Sequence, residues 1–275
     1  MSSGAWRLVL ASATGTSHEK TDSPCQDRAI CEILQNRSDH PVLVLAVSDG
    51  AGSAAKAEIG SSIACNVLTN EIGRYIASGA TVGDIDRETA VRWVIKIQEA
   101  IIAQADIDQA SRRDYACTLL GAVVGDDAGV FFHVGDGAFV ISEGETEGWG
   151  YIHWPQHGEF ANTTYFVTDE SAADNMEFDC IGRRILEVAA FTDGIEALVL
   201  HYASRSVHGP FFDRMFPPVR ALDTVGVDFP LSEALERYLA SPEVCERTDD
   251  DKTLILATRR GANVSPLTSG DQSEP

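Results

Sequence analysis

Basic residues are scarce in this chain: 21 Lys and Arg stand against 42 Asp and Glu in 275 residues, a formal charge of −21, with an isoelectric point near 4.5. So acidic a chain repels phosphate backbones and anionic lipid, which excludes nucleic acid and membrane as main partners. Long apolar runs are missing too, since no stretch approaches the ~18 residues that a membrane helix needs. The opening Met1-Ser2-Ser3-Gly4 has no basic region, and the apolar segment that follows Ala5 is short and amphipathic, so no signal peptide is read there. Six cysteines are scattered through the chain without a Cys-x-x-Cys pair, which argues against a zinc–thiolate site. They read as small buried hydrophobes in a reducing, cytoplasmic setting. Acidity does not bar phosphate chemistry, because a bound cation reverses the local sign of the field.

What is present is a 44% apolar composition, ordinary for a chain with a core, and a change of hydrophobic period along it. Short apolar runs at 8–13, 29–34 and 42–47 predict strands, with a turn over 36–41 before the third. Ile59, Ile63, Val67, Ile72 and Ile76 then fit one face of a long helix with Ser53 as its N-cap. A second helix is expected over 84–110, its face marked by Val91, Val94, Ile95, Ile101 and Ile102. Runs at 117–124, 130–134 and 139–142 predict consecutive antiparallel strands, and 143–150 a loop. Further strands are expected at 151–154, 163–167, 185–192 and 253–258, and helices at 195–204 and 231–239. The aromatic stretch 211–218 reads as the start of a packed helix. No repeat or linker interrupts this order, so 1–260 is read as one α+β domain of layered sheets and helices. The polar segment 261–275 is expected to be disordered.

The informative residues are aspartates at the edges of the apolar runs: Ser48-Asp49-Gly50, Gly135-Asp136-Gly137, Thr192-Asp193-Gly194 and Asp250-Asp251-Lys252. An isolated carboxylate is costly to take out of water, and several together are worse. Hard divalent cations resolve the conflict, because they take several oxygen ligands on a rigid frame. The pattern predicts a metal site built on strand ends.

Together with Cys25-Gln26-Asp27 and Ala116-Cys117-Thr118-Leu119, these segments resemble, in order, the motifs of the metal-dependent type 2C (PPM) serine/threonine protein phosphatases, nearer the bacterial branches. A single Asp-Gly is a common turn and carries no weight; six segments in order, spread over about residues 15–258, do. The resemblance implies a four-layer α-β-β-α sandwich, two antiparallel sheets flanked by helices. It also implies two Mg²⁺ or Mn²⁺ ions that activate a water for attack on a phosphomonoester of a phosphorylated serine/threonine protein. By that match Asp49 bridges both metals, the Gly50 carbonyl is its companion ligand, and Asp193 and Asp250 complete the other metal. Asp136 matches a third-metal position. Asp27 orients metal waters, and Gln26 stands where many members carry glutamate.

The departures are specific. Asp22 occupies the position of a phosphate-binding arginine of the animal enzymes, and Ala51 that of a proposed general-acid histidine. His18 or Lys20 stands near enough in sequence to supply the missing donor, and His18 is the candidate proton donor. These departures leave two rivals: a type 2C fold that binds metal or a partner with little turnover, and a phosphatase of small phosphomonoesters. Asp250 within Asp249-Asp250-Asp251 also reads as a solvated acidic turn, and Asp136 as a hairpin closure. His133 reads as a structural strand residue. His153 and His157 stand four apart, but Pro155 between them breaks the helix that would align the rings, so they are not read as a metal pair.

Overall fold

The computed structural model describes residues 4–142, 148–156 and 164–260, and its layers follow from which apolar runs are buried on both faces. In chain order it forms β1 (Arg7–Ala13), α1 (Thr16–Thr21), β2 (Arg28–Gln35), β3 (Pro41–Ser48), α2 (Ala57–Ala77) and α3 (Arg87–Asp108). Then come β4 (Leu119–Val124), β5 (Gly129–Val134), β6 (Ala138–Ser142), β7 (Gly150–Tyr151), α4 (Ala172–Asn175), β8 (Glu177–Ile181) and β9 (Glu187–Phe191). The last part holds α5 (Glu196–Val199), β10 (Leu200–His201), β11 (Ser206–Val207), α6 (Gly209–Arg220), β12 (Gly226–Val227), α7 (Phe229–Leu239), α8 (Pro242–Cys245) and β13 (Lys252–Thr258).

One sheet runs β2-β3-β4-β5-β8 and the other β12-β1-β13-β9-β6-β7. All pairings within them are antiparallel except β1 with β12 at one edge. Alternation along the strands assigns the layers. Val42, Val44 and Ala46 of β3 pack with α2 and α3, whereas Leu43, Leu45 and Val47 point between the sheets. On β13, Leu254 and Leu256 pack with α6 and α7, whereas Ile255 and Ala257 face the first sheet. Both faces of these strands are buried, which is why they read as continuous apolar runs. The order is helices, sheet, sheet, helices, an α+β sandwich of four layers.

Several local expectations are corrected. The strands 130–134 and 139–142 are not hairpin neighbours: β5 pairs with β4 and β8, whereas β6 lies in the other sheet beside β9. Gly135 and Gly137, at φ 107° and 82°, make the crossing between sheets, a backbone region that glycine enters without strain. Helix α2 starts at Ala57, with no side-chain cap. Ser53 does not cap it, because 51–56 form turns held by the backbone of Ala116 and Asp114. Its buried face is Gly60, Ala64, Cys65, Leu68, Ile72 and Ile76; Gly60 sits on the Tyr115 backbone, where a Cβ would lie 2.2 Å from the carbonyl oxygen. Ile59, Ile63 and Val67 are only partly buried. In α3 the buried face is Ala90, Trp93, Val94, Ile97, Ile101 and Ala105, and Ile95 and Ile102 face solvent. Small residues let both helices sit close to the sheet, a signal that counting isoleucines overlooks.

The helix expected over 195–204 ends at Val199 and gives way to the β10–β11 hairpin. Of 151–154 only Tyr151 is in a strand, and 164–167 form no strand. Strand β8 and helix α1 were not expected. The aromatic stretch does lie in a packed helix: Phe212 and Phe216 of α6 are buried, and Phe216 stacks on Trp149 at 4.7 Å. His157 and the segment 261–275 lie outside the described residues. Among the described residues no helix is long and apolar enough to cross a membrane.

One buried carboxylate ties the second sheet together away from the aspartates. Glu187, fully buried on β9, accepts two hydrogen bonds from Arg220 at 2.7 and 2.6 Å and one from Thr258 Oγ1 at 2.9 Å, and lies 3.1 Å from Arg260 Nε. Removing one partner from such a network leaves the others uncompensated. Glu187→Ala is therefore expected to cost about 3 kcal/mol in chemical denaturation, at the low end of the range for buried pairs because Arg220 reaches solvent. A loss below about 1 kcal/mol would show that the arginines find water instead.

Candidate metal centre

Strand register gathers the aspartates at one end of the sandwich. Asp49 follows β3, whose last residue Ser48 pairs with Arg28 at the start of β2, directly after Gln26-Asp27. In the other sheet Phe191, just before Thr192-Asp193, pairs with Leu254 of β13 and with Ala138 of β6. Asp193 is thereby set beside the Asp250-Asp251 turn and the Gly135–Gly137 crossing. One carboxylate oxygen from each of Asp49, Asp136 and Asp193 lies within 4.8 Å of the others.

The frame around this trio is made of backbone donors and threonines. Thr118 Oγ1 accepts the Asp49 N–H at 3.0 Å, the Thr118 N–H donates to the Asp49 carbonyl at 2.8 Å, and Gly50 bridges to Cys117. Thr192 Oγ1 donates to Asp27 Oδ2 at 2.8 Å and accepts the Thr253 N–H at 3.0 Å. Thr164 Oγ1 donates to Asp136 Oδ2 at 2.5 Å. Gly194 lies so close to the Asp251 carbonyl that a Cβ would stand 1.8 Å from it, so the Asp193-Gly194 turn admits no larger residue.

Burial and mutual repulsion make these carboxylates reluctant to ionise without a countercharge. Asp49 is held well above the ordinary range, first by burial and then by Asp27, Asp193, Asp136 and Asp250. Burial, with help from Asp136 and Asp250, lifts Asp193 to about 8. Burial lifts Asp27 to about 7 against the hydrogen bonds from Thr253 and Thr192. Gln26 Oε1, Asp27 Oδ1 and Asp193 Oδ1 are buried without any hydrogen-bond partner, each at a cost of about 1–3 kcal/mol. Clustered anionic oxygens and unpartnered oxygen acceptors form a donor set suited to a hard divalent cation. The residues fit a metal.

The other predicted site residues fall nearby but in different roles. Asp250 is exposed, accepts the Asp251 N–H at 2.8 Å and reaches the trio through its charge rather than by joining it. Its neighbour Asp251 is the buried one, accepting the N–H groups of Gly15 and Gln26 at 2.6 Å each and lying 3.0 Å from His18 Nδ1. His18 sits in α1 against Asp251, outside the trio. Asp22 is the exposed C-cap of α1 at φ 55°.

Two buried carboxylates, Asp251 and Glu196, have no role assigned in the sequence reading. Asp251 could have been found by carrying the alternation of β13 back one step, since Asp251 and Thr253 share parity with the inter-sheet Ile255 and Ala257. Glu196 lies one turn beyond Asp193, buried, where it accepts the Gly137 N–H at 2.9 Å and the Tyr202 hydroxyl. Burial raises it to about 7. It anchors the Gly135–Gly137 crossing and so the position of Asp136.

A paired-sheet sandwich with a cluster of carboxylate oxygens at one end is a scaffold suited to holding a divalent metal. A family model described as Protein phosphatase 2C matches residues 14–240. Serine/threonine-protein phosphatase 3 of Escherichia coli (strain K12) is 38% identical over 253 residues, 92% of this chain and 98% of that protein. Among solved structures, a bacterial serine phosphatase aligns with a TM-score of 0.55 at 17% identity, covering 94% of this chain and 99% of that one. The serine/threonine phosphatase Stp1 from Staphylococcus aureus aligns with a TM-score of 0.54 at 17% identity, covering 91% and 94%. These structural likenesses speak for the fold. The chain belongs to the protein phosphatase 2C family, whose members are metal-dependent phosphatases.

The raised carboxyl groups set a pH dependence with a definite sign. From the unfolded carboxylate range near about pH 4 up to the folded values of Asp27 and Asp193, the folded chain holds more protons than the unfolded one, so stability falls as pH rises. In chelator, the melting temperature is expected to drop between about pH 5 and pH 8, and added Mg²⁺ or Mn²⁺ to abolish the drop. A metal-free melting temperature that stays flat or climbs across that window would remove the strain assigned to the cluster.

Proposed function

We propose that this chain hydrolyses phosphomonoesters on the serine and threonine residues of phosphorylated proteins, using two Mg²⁺ or Mn²⁺ ions with a third at Asp136. The observation that carries the reading is the oxygen-only cluster of Asp49, Asp136 and Asp193 with buried, unpartnered oxygens of Gln26 and Asp27 beside it. In this reading Asp49, the Gly50 carbonyl and Asp193 would hold the two ions, with the exposed Asp250 as a ligand from the solvent side, and Gln26 and Asp27 would orient their waters. Divalent ions bound there supply an activated water and offset the charge of the phosphoryl oxygens. Thr118, Thr192 and Glu196 hold the carboxylate frame in place, so that little reorganisation is needed when phosphate arrives. In its imidazolium form His18 would give its Nδ1–H to Asp251, which orients the ring, and pass its Nε2 proton to the departing serine or threonine oxygen, returning to the neutral ring. Asp22 is the exposed C-cap of α1, so its carboxylate keeps its hydration.

Hydrolysis of an aryl phosphate and of phosphoserine and phosphothreonine peptides, each with Mn²⁺ and with chelator, tests the reading. Metal-dependent turnover of the peptides is expected, and Asp49→Asn should bring it close to background with the fold intact, because an amide brings no charge to share between cations. Turnover of the aryl ester alone would point to a small-molecule substrate, and turnover of neither to a binding protein. Gln26→Glu should lower the Mn²⁺ concentration for half-maximal rate by restoring a charge.

His18→Ala should cost about 10²–10⁴-fold in rate if His18 is the donor, and remove one limb of the pH–rate profile. A surviving limb would transfer the proton to another source.

A further inference from the structure

A second group of ligand-type side chains lies at the opposite edge of the sheets from β12. His133 on β5 faces Glu177 directly across the β5–β8 pair, and His153, just after β7, brings its ring to 5.0 Å from that of His133. One ring nitrogen from each histidine and one Glu177 carboxylate oxygen lie within 4.8 Å of one another. Both ring nitrogens of His133 are fully buried without a hydrogen-bond partner, and so is Nδ1 of His153. An imidazole taken out of water with neither nitrogen satisfied has lost hydrogen bonds that the fold does not replace. His153 Nε2 is the exception, lying 2.9 Å from Asp179 Oδ2. A carboxylate on one nitrogen fixes the proton there and leaves the lone pair on the other, the arrangement by which metal-binding histidines are oriented. His133 Nε2 and Glu177 Oε2 stand 3.5 Å apart, out of hydrogen-bond geometry. Two ligand atoms on a tetrahedral Zn²⁺ ion are separated by about 3.4 Å.

We propose that His133, His153 and Glu177 bind a borderline transition-metal cation of the Zn²⁺ class, with Asp179 orienting His153 and a fourth position open to water. Imidazole nitrogens select such ions over Mg²⁺ and Mn²⁺, which the oxygen-only cluster of aspartates suits. Burial keeps His133 neutral, at about 3, and the neutral ring is the form that ligates. A surface cavity of about 580 Å³ that His153, Glu177 and Asp179 help to line gives the ion a way in. The cation joins three segments: β5, the edge strand β8, and the stretch after β7 that belongs to the other sheet. Gln156 in that stretch accepts the Gly135 N–H at 2.8 Å and donates its own backbone N–H to the Gly135 carbonyl at 3.2 Å. The site thereby braces the crossing that carries Asp136. The partner of His153 is His133 on β5, a juxtaposition that no sequence spacing signals.

The test uses the untagged full chain, with Asp49→Asn as a background in which the aspartate cluster is weakened. Zn²⁺ titration with dialysis and metal analysis should give one tightly held ion per chain in both forms. Co²⁺ in its place should show the visible absorption of a four-coordinate nitrogen and oxygen site. Asp179→Asn should weaken Zn²⁺ about 10–100-fold, as loss of an orienting partner does, and His153→Gln by more than that. Glu177→Gln, on a side chain open to solvent, guards against misfolding as the cause and should abolish the Co²⁺ spectrum. Zn²⁺ uptake that is absent from the wild-type chain, or unchanged by Glu177→Gln and Asp179→Asn together, would overturn the proposal.

Discussion

Carboxylates drawn together out of water repel one another and forfeit hydration at the same time, and the whole end of this sandwich is arranged to tolerate that. Asp27, Asp49, Asp136, Asp193 and Asp250 all act on one small region. Nothing about their repulsion would hold them there; strand register does. The apolar runs between and outside the sheets bury themselves in the only register that keeps their faces inward, and the aspartates are carried to their places as the next residues along. Threonine hydroxyls then restrain the carboxylates of Asp27 and Asp136, and Thr118 holds the backbone of Asp49.

The strand ends were the readable part of the chain because they combine two independent signals, an apolar run and the turn residue that stops it. β3, β9 and β13 were visible for that reason, with Asp49 and Asp193 at or beside their ends. The passage from β5 to β6 was not, because a hairpin and a change of sheet leave the same local signature of two short strands and a glycine turn. What distinguishes them is the partner of β6, which lies some fifty residues later in the chain. The helix faces were legible only in part, with Ile72, Ile76, Val94 and Ile101 buried as expected and Ile95 and Ile102 exposed, for a different reason. Large apolar residues were taken as the mark of the buried side, whereas Gly60, Ala64 and Ala90 are buried because close approach of helix and sheet requires small ones.

Within the aspartate triplet, the distinction between Asp250 and Asp251 is one of parity. The strand that follows alternates its faces, so one of two adjacent carboxylates must go in and the other out. The inward one, Asp251, accepts two backbone N–H groups and faces His18; the outward one is exposed, on the solvent side of the cluster, where its charge is felt by Asp49 and Asp193. Family resemblance alone does not separate these roles, whereas the alternation of β13 does.

The crossing at Gly135-Asp136-Gly137 gives the site a mechanical character. Asp49 hangs from one sheet and Asp193 from the other, and Asp136 rides on the strap between them. The separation of these oxygens is thus a gauge of how far apart the two sheets stand. A change in the inter-sheet packing of Phe131, Phe139 or Leu45, made far from any ligand, alters the width of the jaw rather than the identity of its teeth. Core volume and the spacing of the three carboxylates are in this way one variable, since the side chains behind the cluster prop open the gap between the sheets.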